Sequence, residues 1–514
     1  MSQHSQPVER RVVSGSFLAG LSFVLSVLQT IVQVPLLLKF WSPSEYGMWM
    51  AVLAATSLVT RLDIGHQSFV GNLFNRYWVE DKVRLRAIFA SGVLGALLIA
   101  GVELGAGILL FLFGKTEWLS GSLPEGAGRE DFRIAFFAYL IFWVAQGSVG
   151  GILARLYQPA GLFARAQAIG IVYYLAGFFA LTGSVALGAS IVGAMLAQIG
   201  AWVVCNLFMF WDVRRKFPEF YPWWQGGNLA LAWKNLRASL VLTINSLVDQ
   251  AGSSGIVLLV MGILAPLEVA MFTTIRTVGN TALQGISVIL YPVMPDIVRY
   301  HFQREPEKLD AVFGLVWCAA GSLVCLGFSA TAPVLAPLYG LWTRNALPFS
   351  PVLFTLVVLA VCFRQWAAPL QTYLHGINHL APQTLAIILR TAGTLSLGFL
   401  FLKQGGIAVA GAVLLVGEIL AAGVYFFAAR NAFYKLGGKL SLRAPMISLL
   451  QIGVMATGLA CGVGLPTTRI WSVPLAVGGV LALGIVQWTH LGHDVKRRIL
   501  GLLPDRLFKS FTPQ

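Results

Sequence analysis

Nine ionisable side chains stand inside stretches that are otherwise apolar: Arg61, Asp63, Glu103, Asp249, Glu268, Arg276, Arg364, Arg390 and Glu418. A charge in hydrocarbon costs a few kcal/mol on insertion scales, so such residues face a bundle interior or a wet cavity. Four of the nine are arginines and none is a lysine. Arginine keeps its charge and presents a planar fork of donors, the chemistry that grips phosphate and other oxyanions. The acids Asp63, Glu103, Asp249 and Glu418 can pair with those arginines or carry a coupling cation, a proton or sodium. Glu268 opens its segment and can reach the membrane interface. Nothing here has the layout of a catalytic or metal centre. His375 and His379 have the spacing of a metal pair but no third ligand nearby, so a loop role is expected. The five cysteines lie in apolar segments without metal-ligand spacing and read as small core residues. No Walker-type glycine loop is present, so neither ATP nor another cofactor is expected on this chain.

Helical spacing groups these residues with polar neighbours, because positions i and i+4 share a face. Asn245, Asp249 and Ser253 form one stripe, and Arg276, Asn280 and Gln284 form another. Ser22, Ser26, Gln29 and Gln33 lie on one face of the first segment, and Arg364, Gln371 and His375 on one face of a later one. Arg61 and Asp63 are two apart and point to different faces. At a rise of about 1.5 Å per residue, Asp249, Arg276 and Arg364 fall near mid-depth, and Arg61 and Arg390 in the cytoplasmic half.

The elements that carry these stripes follow from composition. Of 514 residues 57% are hydrophobic and 11% charged, against about 25% charged in soluble domains. Such a chain cannot cover a water-facing surface and reads as an all-α polytopic membrane protein. About fourteen spans are expected, near 12–38, 46–73, 87–113, 132–156, 163–184, 189–211, 236–262, 267–294, 310–337, 350–374, 382–402, 406–429, 444–464 and 470–491. Arg10 and Arg11 precede a long apolar run without a clear cleavage site, which reads as a retained first helix. The net charge of +15 sits in short loops, which speaks against a nucleic-acid partner. With the N-terminus inside, cytoplasmic segments carry 25 Lys and Arg and outer segments seven. The positive-inside rule therefore places both termini in the cytoplasm. Tyr221, Trp223 and Trp224, just after Arg214-Arg215-Lys216, read as an aromatic interfacial segment.

An internal repeat orders the spans. Ser42-Pro43-Ser44-Glu45-Tyr46-Gly47-Met48-Trp49 and Ala265-Pro266-Leu267-Glu268-Val269-Ala270-Met271-Phe272 open two spans at an offset of 223 residues, and Arg76-Tyr77 matches Arg299-Tyr300 at the same offset. Leu156 to Ile169 resembles Leu374 to Ile387 at an offset of 218. Ser22 and Ser26 thereby correspond to Asn245 and Asp249, and Gln146 to Arg364. The expected architecture is two six-helix lobes, 1–216 and 217–440, around a central cavity, with 441–514 adding two helices and a basic tail.

Trp41-Ser42-Pro43-Ser44-Glu45-Tyr46-Gly47, followed by Leu62-Asp63-Ile64-Gly65, resembles the polysaccharide-exporter family, which carries a G-P-x-E-[FY]-G turn and a D-[LI]-G in the same helix. Asp249, the turn from Gly262 to Met271 and Tyr291-Pro292-Val293-Met294-Pro295 fall where that family has an acid, a second turn and a proline-containing helix end. Val269-Ala270-Met271-Phe272 departs from the family's glycine and tyrosine. The resemblance covers the first twelve spans. It implies a flippase of the multidrug/oligosaccharidyl-lipid/polysaccharide exporter superfamily, moving a polyprenyl-pyrophosphate-linked oligosaccharide across the bacterial inner membrane by alternating access. On that reading Arg61 and Arg390 receive the pyrophosphate, Arg276 and Arg364 hold it at mid-depth, and Asp249 leads the coupling residues. Asp63, Asn245, Asn280, Gln284, Gln29, Gln33 and Glu418 complete the polar cavity. A polysaccharide polymerase and a chain-length regulator are the implied protein partners. The nearest rival is a cation-coupled multidrug exporter of the same superfamily. A membrane polymerase or ligase would need a large outer loop, whereas the longest one here, about Gly114 to Asp131, is short. No enzymatic activity is expected.

Overall fold

A computed structural model describes residues 8–113, 127–290, 297, 300–377, 379–464 and 469–489. The main helices in chain order are α1 (Val8–Phe40), α2 (Pro43–Glu80), α3 (Lys82–Phe113), α4 (Ala127–Phe142), α5 (Ser148–Ala154), α6 (Phe163–Ala186), α7 (Ile191–Lys216), α8 (Leu229–Ile263), α9 (Pro266–Leu290), α10 (Pro306–Val316), α11 (Ser322–Thr331), α12 (Leu335–Trp342), α13 (Pro351–Gly376), α14 (Leu380–Lys435), α15 (Arg443–Gly464) and α16 (Arg469–Thr489). No strand occurs among the described residues. One π-helical turn, Trp143–Gly147, joins α4 to α5, and another, Trp317–Gly321, joins α10 to α11. Among the described residues eleven helices are long and apolar enough to cross a membrane, or twelve if the bent pair within α2 is one span. Two features separate that number from the expected fourteen. α14 is counted once although it contains two expected spans, and α9, with Glu268, Arg276, Asn280 and Gln284, falls outside the count. The chain is a multi-pass, all-helical membrane protein.

The start of α2 shows how the family-like turn works. Ser42 caps the helix and Pro43 occupies its first turn, where a missing N–H costs nothing. The Ser42 N–H donates to Glu45 Oε2 at 2.8 Å and the Glu45 N–H to Ser42 Oγ at 3.2 Å, a complete capping box. Trp41 donates from Nε1 to the Ala189 carbonyl at 3.1 Å, tying the turn to α7. Gly47 then meets the second repeat's turn: a Cβ there would lie 1.8 Å from the Pro266 carbonyl oxygen. The two repeat-related turns thus abut, and only a residue without a side chain lets them. α2 continues along α8, where Gln250 donates to both Ser57 (2.9 Å) and Ser254 (2.6 Å). Small residues and side-chain hydrogen bonds of this kind hold helices together in lipid, where apolar burial supplies little drive.

The packing divides into two compact units, Met1–Thr273 with Trp342–Pro348, and Thr274–Leu341 with Phe349–Gln514. In the first, one end is filled by Phe74, Phe89, Ile152, Tyr157, Val213 and Phe217, drawn from α2, α3, α5 and α7 and their flanks. In the second, α14 doubles back on itself. Gly406, at φ 62°, takes the left-handed conformation that glycine adopts without penalty and breaks the 56-residue helix. Thr394 Oγ1 then donates to the Val413 carbonyl at 3.3 Å across the two arms. The expected spans 382–402 and 406–429 are these arms.

Candidate functional site

In the second unit the α14 hairpin assembles a charged cluster with α13. Gly417 lets the arms close, since a Cβ there would lie 2.5 Å from Thr394 Oγ1 and 2.9 Å from the Arg390 carbonyl. Its neighbour Glu418 therefore faces Arg390, with Oε1 3.5 Å from Nη1, and the same oxygen lies 3.7 Å from Nη1 of Arg364 on α13. Three residues that the sequence scatters over 55 positions share one carboxylate oxygen. Both separations exceed those of a direct charge-assisted hydrogen bond, about 2.7–2.9 Å. Both arginines face the one carboxylate. The side chain of Arg390 is 12% exposed and that of Arg364 45%. Arg390 is a buried member with its charge compensated in place, whereas Arg364 extends into open space. That arrangement can bind an oxyanion at Arg364 and exchange it for Glu418 without leaving a buried charge unpaired.

The first unit holds acids instead. Asp63 on α2 is fully buried, and its Oδ2 accepts from Trp143 Nε1 at 2.9 Å and from Ser148 Oγ. Trp143 belongs to the π-helical turn, an irregularity frequent at functional sites. Asp63 Oδ1 has no hydrogen-bond partner among the described residues. Glu103 on α3 is 2% exposed and neither of its carboxylate oxygens has one. His66, one turn from Asp63, meets the Gly92 carbonyl through Nε2 at 3.2 Å while its Nδ1 is unpartnered. An uncompensated buried carboxylate is costly. Glu103, with both oxygens unpartnered among the described residues, and Asp63, with one, are placed to take up a proton or a cation. Glu103 was expected to pair with an arginine or carry a coupling cation, and among the described residues no hydrogen-bond partner reaches it. The signal that could have found it was its position: an acid at the centre of the most uniformly apolar of the early spans.

The remaining expected cavity residues are less gathered. Gln29 and Gln33 are half-buried on α1, and Asn245 and Asp249 half-buried on α8. Arg276 is half-buried on α9, with Asn280 and Gln284 exposed on the same helix. α9 packs on α13 near Gly279, where a Cβ would lie 2.8 Å from Val361. Gln146, the repeat mate of Arg364, sits in the π-helical turn with Oε1 unpartnered. The Arg61 side chain, the Tyr291–Pro295 motif and the basic tail lie outside the described residues. His375 is engaged by Gln383, Nδ1 to Oε1 3.3 Å.

No family model and no curated relative matches the chain. Solved structures do. The lipid II flippase MurJ, in an inward closed conformation, aligns over 94% of this chain and 99% of its own at a TM-score of 0.65 and 10% identity. An inward-facing multidrug resistance MATE family transporter of the MOP superfamily aligns over 80% and 95% at 0.56 and 16%. The fold is that of MOP-superfamily transporters. A third member, from Pyrococcus furiosus, aligns over 84% and 96% at 0.54 and 15%. All three structures are matched over nearly their whole length. At these identities the likeness is one of fold, so the chemistry of this MOP-fold chain rests on its own side chains.

Proposed function

We propose that the chain is a flippase that moves a polyprenyl-pyrophosphate-linked oligosaccharide, or an exopolysaccharide repeat unit, across the bacterial inner membrane by alternating access. The observation that carries this reading is the cluster of Arg364, Arg390 and Glu418, in which two arginines converge on one carboxylate oxygen and one of them, Arg364, reaches into open space. A pyrophosphate is the oxyanion such a cluster suits. The near-complete match to a structure named a lipid II flippase supports the same class of cargo. The topology that goes with it has fourteen crossings, lobes 1–216 and 217–440, two appended helices in 441–514, and both termini in the cytoplasm. Arg61 and Arg390 would receive the headgroup and Arg276 and Arg364 hold it. Asn245, Asn280, Gln284, Gln29 and Gln33 would complete the polar lining. Coupling is assigned to a proton or sodium ion, with Asp63 and Glu103 as its carriers beside Asp249. A polysaccharide polymerase and a chain-length regulator are the proposed protein partners.

One observation favours a second reading. The buried acids Asp63 and Glu103, with carboxylate oxygens unpartnered among the described residues, also suit a cation-coupled multidrug exporter, and a multidrug resistance transporter shares the fold. The polarity of the cavity separates the two, because a cationic drug needs acids and a pyrophosphate needs arginines. Alanine at Arg276 and Arg364 together is expected to abolish surface-polysaccharide export in cells while leaving resistance to cationic dyes unchanged. Unaltered export in that variant would falsify the flippase assignment. Export intact with dye resistance lost would favour the drug exporter.

A further inference from the structure

A second cationic site lies in the second unit, away from Arg364 and Arg390. It is a cavity of about 600 Å³ whose polar lining is His301, Arg304, His379, Asn431 and Lys435. These residues come from the approach to α10, the α13–α14 connection and the last turn of α14. The sequence expectation places all three segments on the cytoplasmic side, and the fold does bring them to one place. No carboxylate is among the lining residues. The two ends of the α14 hairpin meet here with opposite helix dipoles, so the positive character comes from side chains and not from a helix terminus.

The site is built on a firm floor. Tyr373, fully buried, packs against Phe313 and Phe433, with ring centroids 5.6 Å away in each case. Its hydroxyl meets His301 Nδ1 at 2.9 Å, which leaves Nε2 for another partner. Burial pushes the His301 imidazole below its usual pKa, so at neutral pH it offers a hydrogen bond while the permanent charge belongs to Arg304 and Lys435. Arg304 has φ 54°, a conformation in which glycine is the default. A tight turn fixes it, with the Arg304 N–H donating to the His301 carbonyl at 3.1 Å and the Glu305 N–H to the Tyr300 carbonyl at 3.0 Å. An arginine is thus kept at the cavity wall at a backbone cost. Phe302, on the lining, is 68% exposed and Tyr434, beside Lys435, 74%. Exposed aromatics next to cations at helix ends mark the membrane–water boundary, where a soluble anion needs no apolar neighbour.

We propose that this cavity seats the phosphate of an anionic membrane lipid, with Arg304 and Lys435 as charge partners, His301 and His379 as hydrogen-bonding groups, and Phe302 and Tyr434 against the glycerol and upper acyl region. Basic pockets at the cytoplasmic ends of helices take such headgroups. The site is separate from the transported substrate and stands whether the cargo is a lipid-linked saccharide or a drug. A bound lipid would bridge the three segments and stabilise the folded chain by linkage.

The test uses the full chain in lipid-free detergent, comparing thermal midpoints with phosphatidylglycerol, with phosphatidylcholine and with inorganic phosphate at matched ionic strength. Phosphatidylglycerol is expected to raise the midpoint by about 3 °C or more, and the other two additions by much less. Arg304→Ala/Lys435→Ala should lose over half of that rise. The exposed pair Arg430→Ala/Lys439→Ala, which removes the same charge outside the cavity, should keep it. Equal responses from the two double variants, or an equal rise with phosphatidylcholine, would overturn the site. A full rise with inorganic phosphate alone would overturn the lipid as its source.

Discussion

Tyr157 and Arg165 in the first unit correspond, at the 218-residue offset, to His375 and Gln383 in the second, yet the two ends are filled in opposite ways. In the first, Asp212 accepts from Tyr157 Oη at 2.7 Å and from Arg165 Nε at 2.7 Å, with Nη2 2.5 Å from its other oxygen. Phe217, Phe220 and Trp78 close over that triad. In the second, Asp212 corresponds to Arg430 and Phe217 to Lys435, and a cavity stands open. One scaffold is sealed where a buried carboxylate is neutralised by a fork of donors and aromatics cover it. It opens where Lys435 replaces the ring on the cavity lining and the exposed Arg430, outside the lining, replaces the acid. Deeper in the units the contents differ again: among the described residues Asp63 and Glu103 have carboxylate oxygens without a hydrogen-bond partner, whereas Glu418 has two arginines at 3.7 and 3.5 Å. Positions paired by the sequence offset therefore carry different polar groups in the two units.

The strongest way to break this comparison is to remove the cationic cluster. Arg364→Ala/Arg390→Ala should lower transport into proteoliposomes about 100-fold, near 3 kcal/mol at about 1.4 kcal/mol per decade, with folding retained. Survival of transport would make the cluster structural. Next is Asp212→Ala, which orphans Tyr157 and Arg165. Discounting for the 40% exposure of Arg165, the first unit should lose about 2 kcal/mol in unfolding measurements. A loss under about 0.5 kcal/mol would mean that the aromatic seal alone holds that end. Asp63→Asn should reduce pH- or sodium-gradient-driven uptake about tenfold, as expected for loss of one proton-transfer or charge partner, while gradient-free exchange changes little. A uniform loss of both would place Asp63 in substrate binding instead. The smallest effect is expected from Gln383→Ala, where loss of the neutral contact to the half-exposed His375 should shift stability by no more than about 0.5 kcal/mol. An effect as large as that of Asp212→Ala would erase the contrast between the units.

Much of this molecule was legible before any fold was known. The apolar spans and the turn from Ser42 to Glu45 that opens α2 follow from local composition and spacing. A helix in lipid satisfies its own backbone, so each span is a property of its own sequence. Arg364, Arg390 and Glu418 stand out in the sequence as charges inside apolar spans. What spacing could not supply was their meeting, because Arg364 shares no helix with the other two and Arg390 reaches Glu418 only through the reversal at Gly406. The surroundings of Glu103 were illegible for the same reason, because what meets a buried acid depends on what its neighbours on other helices offer. The cavity of His301, Arg304 and Lys435 combines three segments far apart in the chain, so no window of sequence contains it. Local chemistry determined which side chains are costly in a membrane. Only the tertiary structure decided which costs are cancelled by a partner and which are left for a ligand to relieve.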